Sequence, residues 1–147
     1  MQTVDIYIDT SIKGPKRRHG TYMYIIAMQT DKGTADVGNM DSVSDTTENH
    51  ITLLALEAAL KRIKKPCYLI IHLECSYVAA VLRNGWYKAW QENGWKTNRK
   101  TDVQDVEKWR AILKSLNEHA FEVRLKEPHT YREWMSRTLS EKENENV

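Results

Sequence analysis

Cysteine, proline, glycine and phenylalanine are all scarce in this chain. Its 147 residues include two cysteines, three prolines, six glycines and a single phenylalanine. Two cysteines are too few for a disulfide framework, and no His/Cys cluster has the spacing of a zinc site. We therefore expect Cys67 and Cys75 to be reduced thiols in a protein of the cytoplasm.

Long apolar runs and a strong net charge are also missing. No apolar run approaches the roughly 20 residues that span a bilayer, and residues 1–5 lack the basic and apolar regions of a secretory signal, so we expect no membrane partner. The formal net charge is only +2. A global basic field therefore does not indicate nucleic-acid binding, and local clusters must carry that argument.

What the chain does have is tryptophan, of which it holds five. Three of them share one short segment: Trp86, Trp90 and Trp95. Trp86 and Trp90 are four residues apart, so they share one face of a helix, which Gly94 can end. Three basic residues follow in a polar loop: Lys96, Arg99 and Lys100. An amphipathic helix is then predicted over 102–117.

Two interpretations of this segment remain open. In the first, the segment is a protrusion supported by aromatic rings, and its basic tip binds a phosphate backbone. In the second, it is a hydrophobic helix pair with a solvated loop. The second is supported by the fact that aromatic residues at helical spacing usually pack into a core. Another basic cluster lies in an early turn, around Lys13 and residues 16–19. A third basic cluster lies over residues 61–65. It also has a purely structural explanation, because basic side chains stabilise the negative, carboxyl-terminal end of a helix dipole.

The order of the predicted elements indicates an α/β fold. Residues 4–9 alternate as a strand, and two further strands are predicted over 20–30 and 34–42. An apolar helix to about residue 64 precedes a strand over 67–73, and helices, a strand over 121–125 and a terminal helix over 128–140 follow. This order predicts a mixed sheet flanked by helices. We expect one domain over 1–140 and a polar, disordered tail over 141–147.

Five segments give the chain a resemblance to a known family. They are Ile8-Asp9-Thr10-Ser11, Thr46-Thr47-Glu48-Asn49, Glu74-Cys75-Ser76-Tyr77-Val78, Gly94-Trp95-Lys96-Thr97 and Asp105-Val106-Glu107-Lys108-Trp109. With the element order, they make the chain similar to a type I ribonuclease H over most of its length. The resemblance implies a ribonuclease H-like fold with a five-stranded mixed sheet and a basic helical protrusion.

The resemblance also implies a chemistry. The family cuts the RNA strand of RNA–DNA hybrids with two divalent metal ions held by four carboxylates. Mg²⁺ prefers oxygen ligands, and two metals stabilise the attacking and the leaving oxygen of an in-line displacement. In this sequence, Asp9, Glu74 and Glu133 match three catalytic, metal-binding positions, the last two lengthened from Asp. Thr52 stands where the family has its fourth carboxylate, a Glu.

These differences predict a weakened metal centre. We expect Mg²⁺ or Mn²⁺, weakly bound and as one ion at most. Glu48 precedes Thr52 by one turn, and the sequence leaves open whether it replaces the missing ligand. The loop that carries a mobile histidine in the family is shortened here to residues 127–129. His72 and His129 are expected to be structural.

The resemblance and the altered carboxylates lead to two hypotheses about function. A third possibility is a scaffold that binds other proteins. The first is a pseudoenzyme that binds RNA–DNA hybrid or a related duplex with absent or weak nuclease activity. Its predicted nucleic-acid-binding residues are Thr47, Asn49, Ser76, Trp86, Trp90, Trp95, Lys96, Arg99 and Lys100. The second is an active endonuclease that depends on a divalent metal. The sequence identifies no protein partner.

Overall fold

The computed structural model describes residues 1–145. Five strands form one mixed sheet in the order β3-β2-β1-β4-β5. Their bounds are β1 (Gln2–Thr10), β2 (Arg18–Thr30), β3 (Gly33–Thr46), β4 (Cys67–Leu73) and β5 (Ala120–Leu125). β1 pairs with β2 antiparallel and with β4 parallel, while β2–β3 is antiparallel and β4–β5 parallel. The predicted five-stranded mixed sheet is confirmed.

Five helices accompany this sheet within residues 1–145. They are α1 (Glu48–Leu60), α2 (Ser76–Asn84), α3 (Trp86–Glu92), α4 (Val106–Leu116) and α5 (Arg132–Glu145). None of these helices is both long enough and apolar enough to cross a lipid bilayer.

The larger core lies between the sheet, α1 and α4. Because side chains alternate along a strand, β1 sends Ile6 and Ile8 into this core. α1 is apolar nearly all round, and its deep burial is confirmed by Ile51, Leu53 and Leu56, whose side chains are fully enclosed. A helix of this kind is stable only when it is covered on most sides.

A smaller core on the opposite face of the sheet places α5. Met135 and Leu139 of α5 pack against Tyr7 of β1 and Met23 of β2. Asp9 lies two residues after Tyr7, so it emerges on the same face of the sheet. α5 therefore passes close to the carboxyl end of β1, where the predicted site lies.

Besides the start of α5, which lies at Arg132 rather than at residue 128, three helix boundaries differ from the sequence-based predictions. α1 begins after Thr47, whose Oγ1 accepts a hydrogen bond from the His50 backbone N–H at 3.2 Å, and it ends at Leu60 rather than near residue 64. α4 begins at Val106 rather than 102, because Asp105 adopts a left-handed conformation with a φ of 60°.

The third difference concerns the predicted tail. α5 continues to Glu145, so residues 141–145 are helical and the predicted disordered tail does not begin at Glu141. Glu143 Oε1 accepts a hydrogen bond from Thr21 Oγ1 at 2.9 Å. This contact ties the last turns of α5 to β2, which local polarity could not reveal. Residues 146 and 147 of the predicted tail fall outside the described part.

Candidate functional site

The parallel pairing of β1 with β4 brings two acidic residues to one edge of the sheet. Tyr7 pairs with His72, and Asp9 and Glu74 follow two residues later on each strand. The carboxyl ends of neighbouring parallel strands meet at the same edge of a sheet. Asp9 and Glu74 line one cavity together with Glu133 of α5. We call this cavity the carboxylate cleft.

Asp9 is held by a lysine of its own loop. The carboxylate is 7% exposed, and its Oδ1 lies 2.5 Å from Lys13 Nζ and 2.8 Å from the Thr10 backbone N–H. The loop is anchored by Ile12, whose buried side chain packs over Gly20. A Cβ at Gly20 would stand 2.5 Å from Ile12 Cδ1, so this close approach requires glycine.

Glu74 is held in the same way by an arginine. Its Oε2 accepts from Arg132 Nε at 3.1 Å, and its Oε1 accepts from Arg132 Nη2 at 2.9 Å. This bidentate pair uses both carboxylate oxygens, and the hydrogen bond from Arg132 to Glu74 raises the pKa of Arg132. Glu133, the next residue of α5, is exposed on the rim of the cleft.

Thr52, which stands at the position of the missing ligand, directs no oxygen ligand into the carboxylate cleft. Its side chain is 2% exposed, and its Oγ1 donates a hydrogen bond to the Glu48 carbonyl oxygen at 2.7 Å. Glu48 Oε1 in turn accepts from the Gly14 backbone N–H at 3.1 Å. Glu48 lines an adjoining cavity with Glu74 and is absent from the lining of the carboxylate cleft.

The oxygen donors of the cleft differ from the metal centre that the resemblance implies. Two divalent cations need several converging oxygen ligands. Within residues 1–145, no group of three or more His, Cys, Asp or Glu side chains stands close enough to hold a metal ion. Asp9 and Glu74 each already bind a cationic side chain. The residues as arranged do not fit a two-metal centre.

A polar cavity of about 570 Å³ adjoins the carboxylate cleft and collects three predicted contact residues. They are Thr47, Asn49 and Ser76. The Oδ1 of Asn49 accepts a hydrogen bond from Cys75 Sγ at 3.2 Å, and burial raises the pKa of this thiol, so the thiol form is favoured. Cys67 and Cys75 are both unbridged.

The tryptophan segment combines features of both interpretations. Trp109 of α4 is fully buried, and the Trp90 ring meets it edge-on with the ring centroids 5.9 Å apart. Trp95 lies under the Arg110 guanidinium carbon, 5.3 Å from the ring centroid. Trp86 remains 44% exposed. The helix pair therefore does pack into the core, and it carries an exposed loop.

That loop presents basic side chains in a fixed frame, and we call residues 93–102 the basic loop. Residues 96 and 102 form an isolated antiparallel bridge, and Lys96 Nζ is paired with the Asp102 carboxylate. The Thr97 backbone N–H donates to the Thr101 carbonyl oxygen at 2.8 Å. Arg99 and Lys100 lie exposed at the tip. The loop forms one wall of a cavity with Trp86 and Trp90.

The two histidines beside the cleft are part of a ring cluster. Tyr7 stacks on His72 with ring centroids 4.2 Å apart and meets His129 in a tilted contact at 4.4 Å. His72 Nε2 lies 2.8 Å from Asp5 Oδ1. Burial, together with nearby His72, lowers the pKa of His129 to about 4. At neutral pH His129 is therefore uncharged and packed among rings, as a structural residue is.

Sequence reasoning missed four residues of this region. Tyr77 and Gln104 line the polar cavity; Tyr77 lies within a segment that resembles the family, but it was assigned no contact, and Gln104 lies in no such segment. Lys13 was noticed as one of several basic residues in a turn, although its spacing of four from Asp9 is a signal for an ion pair. Arg132 gave no signal, because its contact with Glu74 depends on the rotation of α5.

The chain was then compared with known proteins. The family model of ribonuclease H matches residues 1–144. This chain belongs to the ribonuclease H family. The Ribonuclease H of Acetivibrio thermocellus is 30% identical over 119 residues, which cover 81% of this chain and 78% of that protein. The Ribonuclease H of Chlorobaculum parvum is 29% identical over 80% of this chain and 77% of its own length.

Solved structures show the same fold. LC9-RNase H1, described as a type 1 RNase H with the type 2 active-site motif, has a TM-score of 0.77 at 18% identity, covering 95% of this chain and 71% of its own. The foamy viral protease-reverse transcriptase in complex with dsDNA has a TM-score of 0.73 at 21% identity, covering 95% of this chain and 93% of that one. The predicted ribonuclease H-like fold is confirmed. Members of the ribonuclease H family generally depend on divalent metal ions.

Proposed function

We propose that this chain binds RNA–DNA hybrid or a related duplex and cleaves it weakly or not at all. The observation that carries the proposal is a contrast between two parts of the molecule. The basic loop keeps exposed cations on a turn closed by a bridge and backbone hydrogen bonds, whereas no three metal-ligating side chains converge within residues 1–145. The proposal therefore assigns this chain the family's duplex binding without its two-metal cleavage.

The basic loop supplies the phosphate contacts in this proposal. Arg99 and Lys100 are exposed, and Lys96 is oriented by its pair with Asp102. Lysine and arginine side chains bind backbone phosphates without reading the base sequence. Trp90 and Trp95 hold the loop on the core, with ring centroids 6.5 Å apart, so the cations lose little freedom when a duplex binds.

The polar cavity supplies contacts that distinguish RNA from DNA. Thr47, Asn49 and Ser76 present hydroxyl and amide groups in one concave surface. A ribose 2′-hydroxyl both donates and accepts hydrogen bonds, and it is displayed in the wide minor groove of an A-like duplex. Tyr77, which is 37% exposed, offers a further ring and hydroxyl at the same surface.

Structural neighbours support a duplex as the ligand. The foamy viral protease-reverse transcriptase is described in complex with dsDNA and, in another structure, with RNA/DNA hybrid. These likenesses show a shared fold, and the choice of a hybrid for this chain rests on its own loop and polar cavity.

One observation favours the alternative of an active endonuclease. Asp9, Glu74 and Glu133 line a single cleft, and the named relatives are ribonucleases H. Cleavage in this alternative requires that metal ions displace Lys13 and Arg132 from the carboxylates. A single-turnover assay of RNA-strand cleavage in millimolar Mn²⁺ separates the two functions.

The salt dependence of binding tests the proposed function. Three or four phosphate contacts predict that affinity for a labelled RNA–DNA hybrid falls about 40- to 150-fold between about 50 and 200 mM KCl. Fluorescence anisotropy in EDTA measures this without cleavage of the hybrid. Duplex DNA of the same sequence serves as the control and should bind more weakly. An affinity for the hybrid that is unchanged across this salt range would refute the phosphate-binding model.

A further inference from the structure

The buried carboxylate of Asp9 and the partly buried carboxylate of Glu74 are neutralised by cations that belong to the chain itself. Lys13 pairs with Asp9, and Arg132 pairs with Glu74. We propose that Lys13 and Arg132 replace divalent metal ions in this cleft, so that the chain holds a phosphodiester group with two fixed cations and without metal. The exclusion of metal is inferred from the ion pairs of the cleft and does not depend on the proposed function. The phosphate contact does rest on the proposed function.

The carboxylate half of each ion pair is shielded from solvent, whereas its cationic half reaches solvent. The side chain of Asp9 is 8% exposed and that of Glu74 is 15% exposed. Salt screens such partly buried pairs much less than surface pairs. A metal ion that binds Glu74 has to displace Arg132 from its bidentate contact with this carboxylate. The freed guanidinium must then be hydrated by water. The metal therefore competes against partners that are already in place.

Lys13 is held in position by three contacts of its loop. Ile12 is buried in the main core beneath Gly20. On the other side of Lys13, the backbone N–H of Gly14 donates to Glu48 of α1. The Thr10 hydroxyl donates to the Ile12 carbonyl oxygen at 3.1 Å. These contacts fix the backbone on both sides of Lys13, so its pair with Asp9 is built into the loop.

Charges around the two adjoining cavities balance without any metal. Their acidic side chains are Asp9, Glu48, Glu74 and Glu133, and their basic side chains are Lys13, Lys126, Arg132 and Arg137. Converging carboxylates repel one another, and a divalent metal ion binds where it relieves this excess of negative charge. Four cations facing four carboxylates remove that excess.

Both proposed cations keep donors for a phosphate. The Lys13 side chain is 54% exposed and that of Arg132 is 37% exposed. The pair with Glu74 engages two of the five N–H donors of the Arg132 guanidinium, and a lysine ammonium has three donors. Each side chain can therefore bind a phosphate oxygen while it keeps its carboxylate.

A metal titration without nucleic acid tests the exclusion of metal. Mn²⁺ binding is followed by electron paramagnetic resonance for the wild type, for Lys13→Gln/Arg132→Gln and for the matched control Lys126→Gln/Arg137→Gln. The control removes the same charge from the same two cavities. We expect the first variant to bind Mn²⁺ at least about tenfold more tightly than the wild type or the control, because its carboxylates are freed.

Thermal unfolding provides a second readout that also reports folding. Millimolar Mn²⁺ should raise the Tm of Lys13→Gln/Arg132→Gln, since a ligand that binds only the folded state stabilises it, and should leave the wild type unchanged. A wild type that binds Mn²⁺ as tightly as the variant would overturn the proposal. Because no nucleic acid is present, this result does not depend on whether the chain binds a hybrid.

The phosphate contact is tested separately by hybrid binding in EDTA and in Mg²⁺. Wild-type affinity should agree within about twofold between the two buffers. Lys13→Gln/Arg132→Gln should bind the hybrid about tenfold more weakly than the control in EDTA, as expected when two phosphate contacts are lost. Equal affinities of the two variants would show that Lys13 and Arg132 hold carboxylates but no phosphate.

Discussion

Replacing Trp109 with alanine should lower the free energy of unfolding by about 3–5 kcal/mol, the cost of deleting a large buried aromatic side chain. The Trp109 side chain is fully enclosed in the main core, and the Trp90 ring packs against it. Deleting the indole removes apolar burial and leaves a cavity that rigid neighbours from α1 and the sheet cannot fill.

Urea denaturation measures this loss of stability. Unfolding is followed by far-ultraviolet circular dichroism rather than by fluorescence, because the substitution also removes a fluorophore. Trp86→Ala is the matched control. Its ring is 44% exposed, so the same change should cost less than about 1 kcal/mol. If Trp109→Ala were no more destabilising than Trp86→Ala, the tryptophan segment would not be anchored in the core as described.

Reversing the charge at the tip of the basic loop should weaken binding of an RNA–DNA hybrid by about 100-fold at low salt. Arg99→Glu/Lys100→Glu removes two attractive contacts and adds repulsion between each carboxylate and the phosphates. Both residues are exposed, so the folded state should tolerate the change. The slope of log affinity against log salt should also fall by about two.

The matched control for this variant is Lys32→Glu/Lys114→Glu. These lysines are also exposed, and they lie in the β2–β3 turn and in the last turn of α4. The control makes the same change in net charge, so it corrects for long-range electrostatics. Equal losses for the two variants would mean that the basic loop does not contact the duplex.

The sequence predicted those features that depend on local pattern. Alternation in β1 placed Asp9 near the end of its strand, the apolar run over 67–73 placed Glu74 at the end of another, and the apolar surface of α1 indicated its burial. The Trp segment was predicted as a helix with a basic loop, and α3 and residues 93–102 confirm this. Each of these features follows from residues close together in the chain.

The features that could not be predicted depend on tertiary contacts. Arg132 rather than Glu133 contacts Glu74 because the packing of Met135 and Leu139 sets the rotation of α5. Lys13 contacts Asp9 because the Ile12 side chain fits over Gly20 of β2. Pattern analysis finds charged residues, but the partner of each charge is decided by how whole elements pack.

In the proposed function, the duplex-binding parts of a ribonuclease H fold are kept while the cleaving centre is neutralised by the chain's own cations. A single-turnover assay with excess enzyme over a hybrid labelled on its RNA strand tests it most directly, in millimolar Mn²⁺ and with protein from a host that lacks its own ribonuclease H. Asp9→Asn, prepared identically, reports contamination. We expect binding with no cleavage beyond that of Asp9→Asn, whereas rapid cutting of the RNA strand that is abolished by Asp9→Asn would refute the proposed function.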